Sequence, residues 1–221
     1  FLAYASGMTL AAGAMGLGSR LVADQGAEEM RRQVAIPRAR RTVTNRPSPT
    51  SSTEAPWTAP PSLTSWTTPN DRFYRIDTAL VVPKIDPESW SLRIDGMVER
   101  AVELSLADLF AMNVVDSAVT LACVSNEVGG HLVGNAVWTG VPLVDVLELT
   151  GPAESAEQVM AWSVDSFSAG FPLSALGGDR TALVAFGMNG EPLPFRHGFP
   201  VRLVVAGLYG YVSAVKWLER I

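Results

Sequence analysis

The chain has 221 residues, of which 48% are hydrophobic and 18% charged, and its formal net charge at pH 7 is −5. This composition suits one globular domain with additional segments, and the acidic balance argues against a nucleic-acid partner, since phosphate binding needs a basic face. A single cysteine excludes an internal disulfide, and with only two histidines it argues against metal sites built from several Cys or His ligands.

Residues 1–23 form an apolar stretch rich in Gly and Ala, and its uninterrupted part before Arg20 has 19 residues. A membrane-spanning helix needs about 20, and the apolar part of an export signal is also compatible with this composition. We therefore expect a transmembrane or export-signal segment that attaches the chain to a membrane, with the catalytic domain on the extracytoplasmic side. The alternative is a buried Ala/Gly helix.

Residues 24–66 are expected to be a linker that is first rich in Arg and then in Pro, Ser and Thr. Such a composition buries too little apolar surface to offset chain entropy, and its basic part can contact anionic lipid. The arginines concerned are Arg31, Arg32, Arg38, Arg40, Arg41 and Arg46. The folded domain is expected to cover residues 67–221.

The first half of this domain contains two predicted strands and a short helix. Alternating apolar residues predict a strand over 90–98. A helix over 105–112 begins with Ser105 as N-cap and Asp108 at the third helical position. The β-rich run 117–124 ends close to the lone cysteine.

The second half contains one predicted helix followed by three predicted strands. A helix is predicted over 142–151, starting with Pro142, and Asn189-Gly190 marks a hairpin turn after a strand that begins at residue 181. Further strands are predicted over 201–207 and 214–221. Strands dominate and no regular βαβ alternation, GxGxxG or P-loop pattern is present, so we predict an α+β domain with mixed or antiparallel sheets.

Three stretches of this domain contain chemically useful side chains. They are Cys123-Val-Ser-Asn-Glu127, "PLPFRHGFPVRLVV" with His197 and Arg202, and "YGYVSAVKWLERI" with Lys216. Taken singly, each has a simple structural explanation: a lone Cys is most often a small buried hydrophobe, a cation at a strand edge is usually solvated, and His197 could bond a backbone carbonyl.

Together these stretches resemble the sulfite oxidase family of molybdenum–pterin enzymes over about residues 70–221. The most specific part is "MNGEPLPFRHGFPVRLVVAGLYGYVSAVKWLERI", and "NDRFYRIDTALVVPKIDPESWSLRIDG" resembles the family's opening segment. The resemblance implies the sulfite oxidase-type molybdopterin-binding fold, with mixed sheets and short helices, and a molybdenum–molybdopterin cofactor. It is expected to be the bacterial membrane-anchored or exported type.

The resemblance also assigns roles to individual residues. Cys123 is implied as the protein's ligand to molybdenum, which suits a soft, strongly donating thiolate. His197, Arg202 and Lys216 match positions that contact the pterin or its phosphate. Further positions implied to address the cofactor are Asn70, Arg75, Asp165, Ser168 and Ser213.

Two acidic residues depart from the sulfite oxidase pattern. That pattern reads Cys-Ala-Gly-Asn-Arg-Arg at the metal cysteine, and here Glu127 stands in place of the first of these arginines; Asp77 follows Arg75 where Asn-His is expected. We interpret Glu127 and Asp77 as shaping an acidic entrance. Each like-charge contact with a dianion would cost up to about 4 kcal/mol, which argues against sulfite. The alternative for Glu127 is a surface turn residue that points away.

The leading hypothesis is a molybdopterin-dependent oxidoreductase that transfers an oxygen atom to or from a small substrate. No haem-binding or flavin-binding module is visible in the sequence, so electrons are expected to pass to a separate partner, a quinone system or a cytochrome. The competing hypothesis is a membrane-anchored, non-catalytic binding domain with the same fold.

Overall fold

The computed structural model describes residues 24–43, 65–178 and 180–221. The chain divides into two compact units, Phe1–Ala35 and Ile36–Ile221. The expected membrane segment 1–23 and the Pro/Ser/Thr-rich part of the expected linker lie outside the described residues. Within the described ranges, no helix is both long and apolar enough to cross a bilayer.

The described part of the first unit is a helix, α1, over 24–33. One of the clustered arginines, Arg31, is buried in this helix and forms an ion pair with Glu28, whose Oε1 lies 2.5 Å from its Nη2. Because residues three apart lie on one face of a helix, the pair supports the helical conformation locally. The linker expectation is therefore wrong for 24–33, which form regular structure.

The second unit contains two sheets and three short helices in its described residues. The elements, in chain order, are β1 (Arg41–Val43), β2 (Ser91–Ile94), β3 (Val102–Ser105), α2 (Leu106–Ala111), β4 (Val115–Ala122), β5 (Val133–Pro142), α3 (Leu143–Glu148), β6 (Gln158–Ser163), β7 (Ser168–Pro172), β8 (Ala182–Met188), β9 (Glu191–Pro192), β10 (Arg202–Val205), α4 (Gly210–Ser213) and β11 (Leu218–Arg220). Single 3-10 turns cover Leu173–Leu176 and Phe195–His197.

The first sheet has the strand order β1-β4-β5-β8-β10, and β9 pairs with β8. Strands β4 and β5 are antiparallel and pair from Val115↔Gly140 to Ala122↔Val133. Every residue of the central strand β8 is buried. Asn189 and Gly190 have φ angles of 53° and 84°, which confirms the predicted turn between β8 and β9.

Strand β1 is a correction to the predicted domain boundary at residue 67. Residues 41–43 pair in parallel with β4, so the sheet includes part of the segment expected to be a linker. The strand is three residues long and largely exposed, and it joins the sheet through backbone hydrogen bonds. Such an edge strand has no apolar alternation that a sequence pattern could show.

The second sheet has the order β3-β2-β11-β6-β7. Next to it, α2 has the predicted capping box, in which Ser105 and Asp108 bond each other's backbone N–H groups. Strand β11 is shorter than the predicted 214–221, because Trp217 takes a φ of 49° that ends regular strand geometry. Lys216 consequently lies in irregular backbone before the strand.

Candidate functional site

One cleft brings together six of the eleven residues predicted for the site. It encloses about 810 Å³, counting the solvent in its open mouth. The predicted residues that line it are Asp77, Cys123, Asp165, His197, Arg202 and Lys216.

Cys123 lies directly after β4, where the chain leaves the sheet. Its backbone N–H donates to the Leu132 carbonyl at 2.9 Å, which continues the β4–β5 pairing by one step. Its sulfur lies 3.0 Å from the Ser125 hydroxyl oxygen, and the residue is half-buried. The thiol is thus held at the rim of a rigid sheet and faces the cleft.

Arg202, the first residue of β10, is almost completely buried beside the cleft. Its Nη1 donates to the His197 carbonyl at 3.0 Å, and its guanidinium lies 4.8 Å from the centre of the Trp138 ring. Its Nε has no hydrogen-bond partner among the described residues. Burial lowers the pKa of Arg202 to about 10, so the group stays charged at pH 7 and is available to an anion.

His197 and Lys216 flank Arg202, and we call these three residues the basic wall. Burial, followed by the charge of Arg202, lowers the pKa of His197 to about 4. The imidazole is therefore neutral at pH 7, and its Nε2 donates to the Asn70 carbonyl at 2.9 Å. Burial also lowers the pKa of Lys216 to about 8, although its hydrogen bond to Asp77 opposes this shift.

The opposite side of the cleft is formed by residues 73–78, which we call the cover segment. The Asp77 carboxylate bonds both Lys216 and Arg75, and the Arg75 Nε lies 2.7 Å from Asp77 Oδ2. The Thr78 hydroxyl donates to Asp165 Oδ2 at 3.0 Å. Burial raises the pKa of Asp77, but the hydrogen bonds and charges of Arg75 and Lys216 together outweigh it and leave this pKa below its ordinary value.

Two of the five remaining predicted residues support the cleft from behind. The Asn70 side chain donates to the Met188 carbonyl at 3.1 Å and accepts from Asn189 at 2.7 Å. Ser213 is fully buried in α4, where its hydroxyl donates to the Tyr209 carbonyl at 3.1 Å. The Ser213 hydroxyl and the Asn70 side-chain amide are therefore both hydrogen-bonded to protein groups.

The other three predicted residues lie outside the lining of the cleft. Arg75 is adjacent to it through Asp77, whereas Ser168 and Glu127 are exposed. This arrangement corrects the interpretation that Glu127 and Asp77 together form an acidic entrance. Glu127 belongs to the surface of the loop after Cys123, and Asp77 is paired with two cations, so the repulsion that two free carboxylates would exert on a dianion does not apply.

Sequence reasoning missed eleven residues that line the cleft, most of them apolar or aromatic. Burial raises the pKa of one of these, Tyr74, above its ordinary value. The eleven are Phe73, Tyr74, Ile76, Thr78, Leu121, Ser163, Phe167, Gly210, Tyr211, Ala214 and Trp217. A signal was available for the residues that adjoin Arg75 and Asp77 in the segment that resembled the family's opening, and for those in the stretch around Lys216. Leu121, Ser163 and Phe167 carry no signal separable from ordinary packing.

Comparison with known families decides the class of this site. Residues 79–221 match the family model described as "Oxidoreductase molybdopterin binding domain". The chain belongs to this family. Its molybdopterin-binding domain has relatives that are sulfite oxidases and nitrate reductases, and the α+β fold with mixed sheets is confirmed.

Three relatives illustrate the extent of the similarity. Human mitochondrial sulfite oxidase is 35% identical over 188 residues, which cover 73% of this chain and 34% of that protein. The uncharacterized oxidoreductase YuiH of Bacillus subtilis is 35% identical over 136 residues, covering 62% and 66% of the two chains. The sulfane dehydrogenase SoxCD from Paracoccus pantotrophus superposes with a TM-score of 0.65 at 26% identity, covering 72% and 44%. The match with this chain thus spans about a third of the length of the human enzyme and about half of that of the Arabidopsis thaliana sulfite oxidase.

Membership of this family implies a molybdenum–molybdopterin cofactor, and the residues of the cleft suit it. A pterin phosphate is an anion, and the cleft offers a buried guanidinium with an unused N–H as well as a poorly solvated ammonium. A soft metal needs a soft donor, and the cleft contains the chain's single thiol.

Proposed function

We propose that this domain binds molybdenum–molybdopterin in the cleft and catalyses oxygen-atom transfer on a small, neutral substrate. The observation that supports this most directly is the joint presence of the Cys123 thiol and two buried cations, Arg202 and Lys216, in one cleft. Burying a charge costs several kcal/mol, and buried charges are usually paired. Lys216 pairs with Asp77, whereas the Arg202 Nε has no hydrogen-bond partner among the described residues and is left for an anionic ligand.

Each residue has a distinct part in this proposal. Cys123 would bind the metal through its sulfur, and Arg202 and Lys216 would hold the anionic part of the cofactor. Asn70 and Ser213 would act indirectly. The Asn70 carbonyl holds the His197 ring, and the Ser213 hydroxyl bonds the Tyr209 carbonyl at the start of α4. Arg75 would act through Asp77, with which it pairs. When bound, the cofactor supplies two-electron oxygen-atom transfer, and the protein positions it and shapes the space beside it.

The lining of the cleft favours a neutral substrate over sulfite. Among the described residues, no cation other than Arg202 and Lys216 lines it, and both would be used by the cofactor. The remaining lining includes the aromatic residues Tyr74, Phe167 and Tyr211, which suit uncharged groups. Sulfoxides and N-oxides fit this description, and sulfite lacks a third cation to bind.

The first experiment measures molybdenum and pterin in protein purified from cells that make the cofactor. Near-stoichiometric amounts are expected in the wild-type protein. Cys123→Ser is expected to lose the sulfur-to-molybdenum absorption band. Its activity should fall by more than the roughly 10- to 100-fold that is typical when a residue hydrogen-bonded to a metal ligand is lost. Ser155→Ala, an exposed substitution outside the cleft, is the control. A wild-type protein without molybdenum would instead support the non-catalytic binding domain.

The second experiment separates the substrate classes on metal-loaded protein. Turnover of a neutral sulfoxide or N-oxide with little turnover of sulfite is the expected result, whether the reaction runs as oxidation or reduction. Efficient sulfite oxidation would contradict the substrate class but leave the cofactor proposal intact.

We also propose that residues 1–23 attach the domain to a membrane on its extracytoplasmic side and that a quinone system or a cytochrome exchanges electrons with it. The support is the apolar composition of this stretch. Membrane fractionation of cells that express the full chain, compared with a chain lacking 1–23, tests the attachment. Recovery of both in the same fraction would contradict it.

A further inference from the structure

The loop between β4 and β5 places a hydroxyl against the cysteine sulfur. The Ser125 hydroxyl oxygen lies 3.0 Å from Cys123 Sγ, within the distance of a hydrogen bond to sulfur. This is the one hydrogen-bond contact that the structure gives the Ser125 hydroxyl among the described residues. The contact is therefore specific to the sulfur.

The backbone, rather than a flexible side chain, sets this approach. The Asn126 N–H donates to the Cys123 carbonyl at 3.0 Å, so Ser125 is the third residue of a four-residue turn that starts at the cysteine. The Leu132 N–H donates to Asn126 Oδ1 at 2.7 Å and closes the loop. With only one side-chain torsion of its own, Ser125 can hold its hydroxyl beside the sulfur at small entropic cost.

Metal binding fixes the direction of this hydrogen bond. In the free thiol either group can donate, but a thiolate bound to a metal has no proton and can only accept. The Ser125 O–H must then be the donor. The sulfite oxidase pattern has Gly at this point of the loop, so this chain supplies a hydroxyl that the pattern lacks.

We propose that Ser125 is a positioning residue that donates a hydrogen bond to the Cys123 sulfur and thereby sets how strongly this sulfur donates to molybdenum. The inference rests on the proposed function, since it needs the cysteine to bind the metal. A hydrogen bond withdraws electron density from the sulfur, which weakens its donation and favours the reduced metal. The expected consequences are a higher reduction potential and a higher-energy sulfur-to-metal absorption band than the same site would have without the hydroxyl.

The test compares the holoenzyme with Ser125→Ala and Ser125→Thr. Ser125→Ala is expected to shift the cysteine-dependent absorption band to lower energy and to lower the molybdenum reduction potential, while molybdenum content stays at the wild-type level. Ser125→Thr keeps the hydroxyl and is expected to restore both values. Ser155→Ala, which changes an exposed serine outside the cleft, is expected to move neither.

The outcomes separate this inference from the proposed function. If the wild-type protein has a band that Cys123→Ser abolishes, and Ser125→Ala leaves band and potential unchanged, the role of Ser125 is refuted and the enzyme proposal stands. An equal shift in Ser155→Ala refutes it as well, because the effect would not be local. A wild-type protein without a cysteine-dependent band overturns both proposals.

Discussion

The two sides of the cleft are built by different means. In the basic wall, His197 ends a 3-10 turn and Arg202 begins β10, and both side chains donate to backbone carbonyls. Lys216, its third member, lies in irregular backbone before β11. The cover segment, residues 73–78, is irregular backbone held by the side-chain contacts of Asp77 and Thr78. The wall therefore keeps charge poorly solvated at a cost in stability, whereas the contacts of the cover segment stabilise the empty fold.

This difference separates binding from stability. Substitutions in the basic wall should mainly reduce cofactor retention, with a smaller effect on the free energy of unfolding. Substitutions in the cover segment should mainly reduce the free energy of unfolding, with a smaller effect on cofactor retention. Lys216 belongs to the basic wall but pairs with Asp77 of the cover segment, so a substitution of Lys216 should affect both cofactor retention and stability.

The largest effect is expected from Arg202→Met. Loss of a charge-assisted contact to a phosphate should reduce cofactor retention about 10- to 100-fold. Because the buried guanidinium has a desolvation cost that offsets its two carbonyl hydrogen bonds, we expect the variant to fold. Molybdenum content after dialysis measures retention, and Arg196→Met, an exposed neighbour, is the control. Equal retention in the two variants would contradict the assignment of Arg202.

The pH dependence of stability tests the burial of His197. Its folded pKa, about 4, is below the ordinary 6.5, so between these values the unfolded chain binds more protons and stability falls as pH falls. The stability that depends on a neutral His197 is fully present above pH 6.5. Between pH 7 and 5 the free energy of unfolding should fall by about 2 kcal/mol. Urea unfolding at the two pH values measures this loss.

The His197→Gln and His131→Gln variants provide the comparison. His197→Gln should flatten the change between pH 7 and 5, because the titrating group is gone. His131 is exposed in the loop before β5, so His131→Gln should behave as the wild type does. If the free energy of unfolding of the wild type did not change over this pH range, His197 would have to be solvated in the folded protein.

The same contrast explains how much of the site could be read from the sequence. His197 and Arg202 flank a spaced motif next to β10, and Cys123 ends an apolar strand, so both local pattern and family motif point to them. The pairing of Asp77 with Lys216 joins residues 139 positions apart in sequence, and no local pattern encodes such a contact. For the same reason Glu127 and Asp77 looked alike in sequence but differ in burial and partners.

The fold shows a corresponding limit. Alternation and capping residues predicted β2, α2 and the β8–β9 hairpin, because these elements depend on their own side chains. Strand β1 depends on the exposed backbone of β4, and the end of β11 depends on the backbone conformation at Trp217. Neither feature has a periodic signal.

A smaller effect is expected from Asp77→Asn. The substitution removes the charge that pairs with Arg75 and Lys216, and it should lower the free energy of unfolding by about 1–2 kcal/mol. Cofactor retention should not fall, because Lys216 loses its internal competitor. Asp95→Asn is a matched control, since Asp95 also pairs with two arginines, Arg93 and Arg220, but on the second sheet. Reduced retention in Asp77→Asn alone would show that Asp77 orients Lys216 for the cofactor.

The smallest effect is expected from Thr78→Val, which keeps the shape of the side chain and removes the hydrogen bond to Asp165. Both partners are near solvent, so the freed carboxylate is hydrated and the loss of unfolding free energy should be about 0.5–1 kcal/mol. Thr120→Val removes a comparable exposed bond to Asn135 on β4 and β5 and should cost a similar amount. Urea unfolding measures both. A loss in Thr78→Val several times that of Thr120→Val would mean that this single bond holds the cover segment, and the stabilisation assigned above to the Asp77 pair would then belong largely to Thr78.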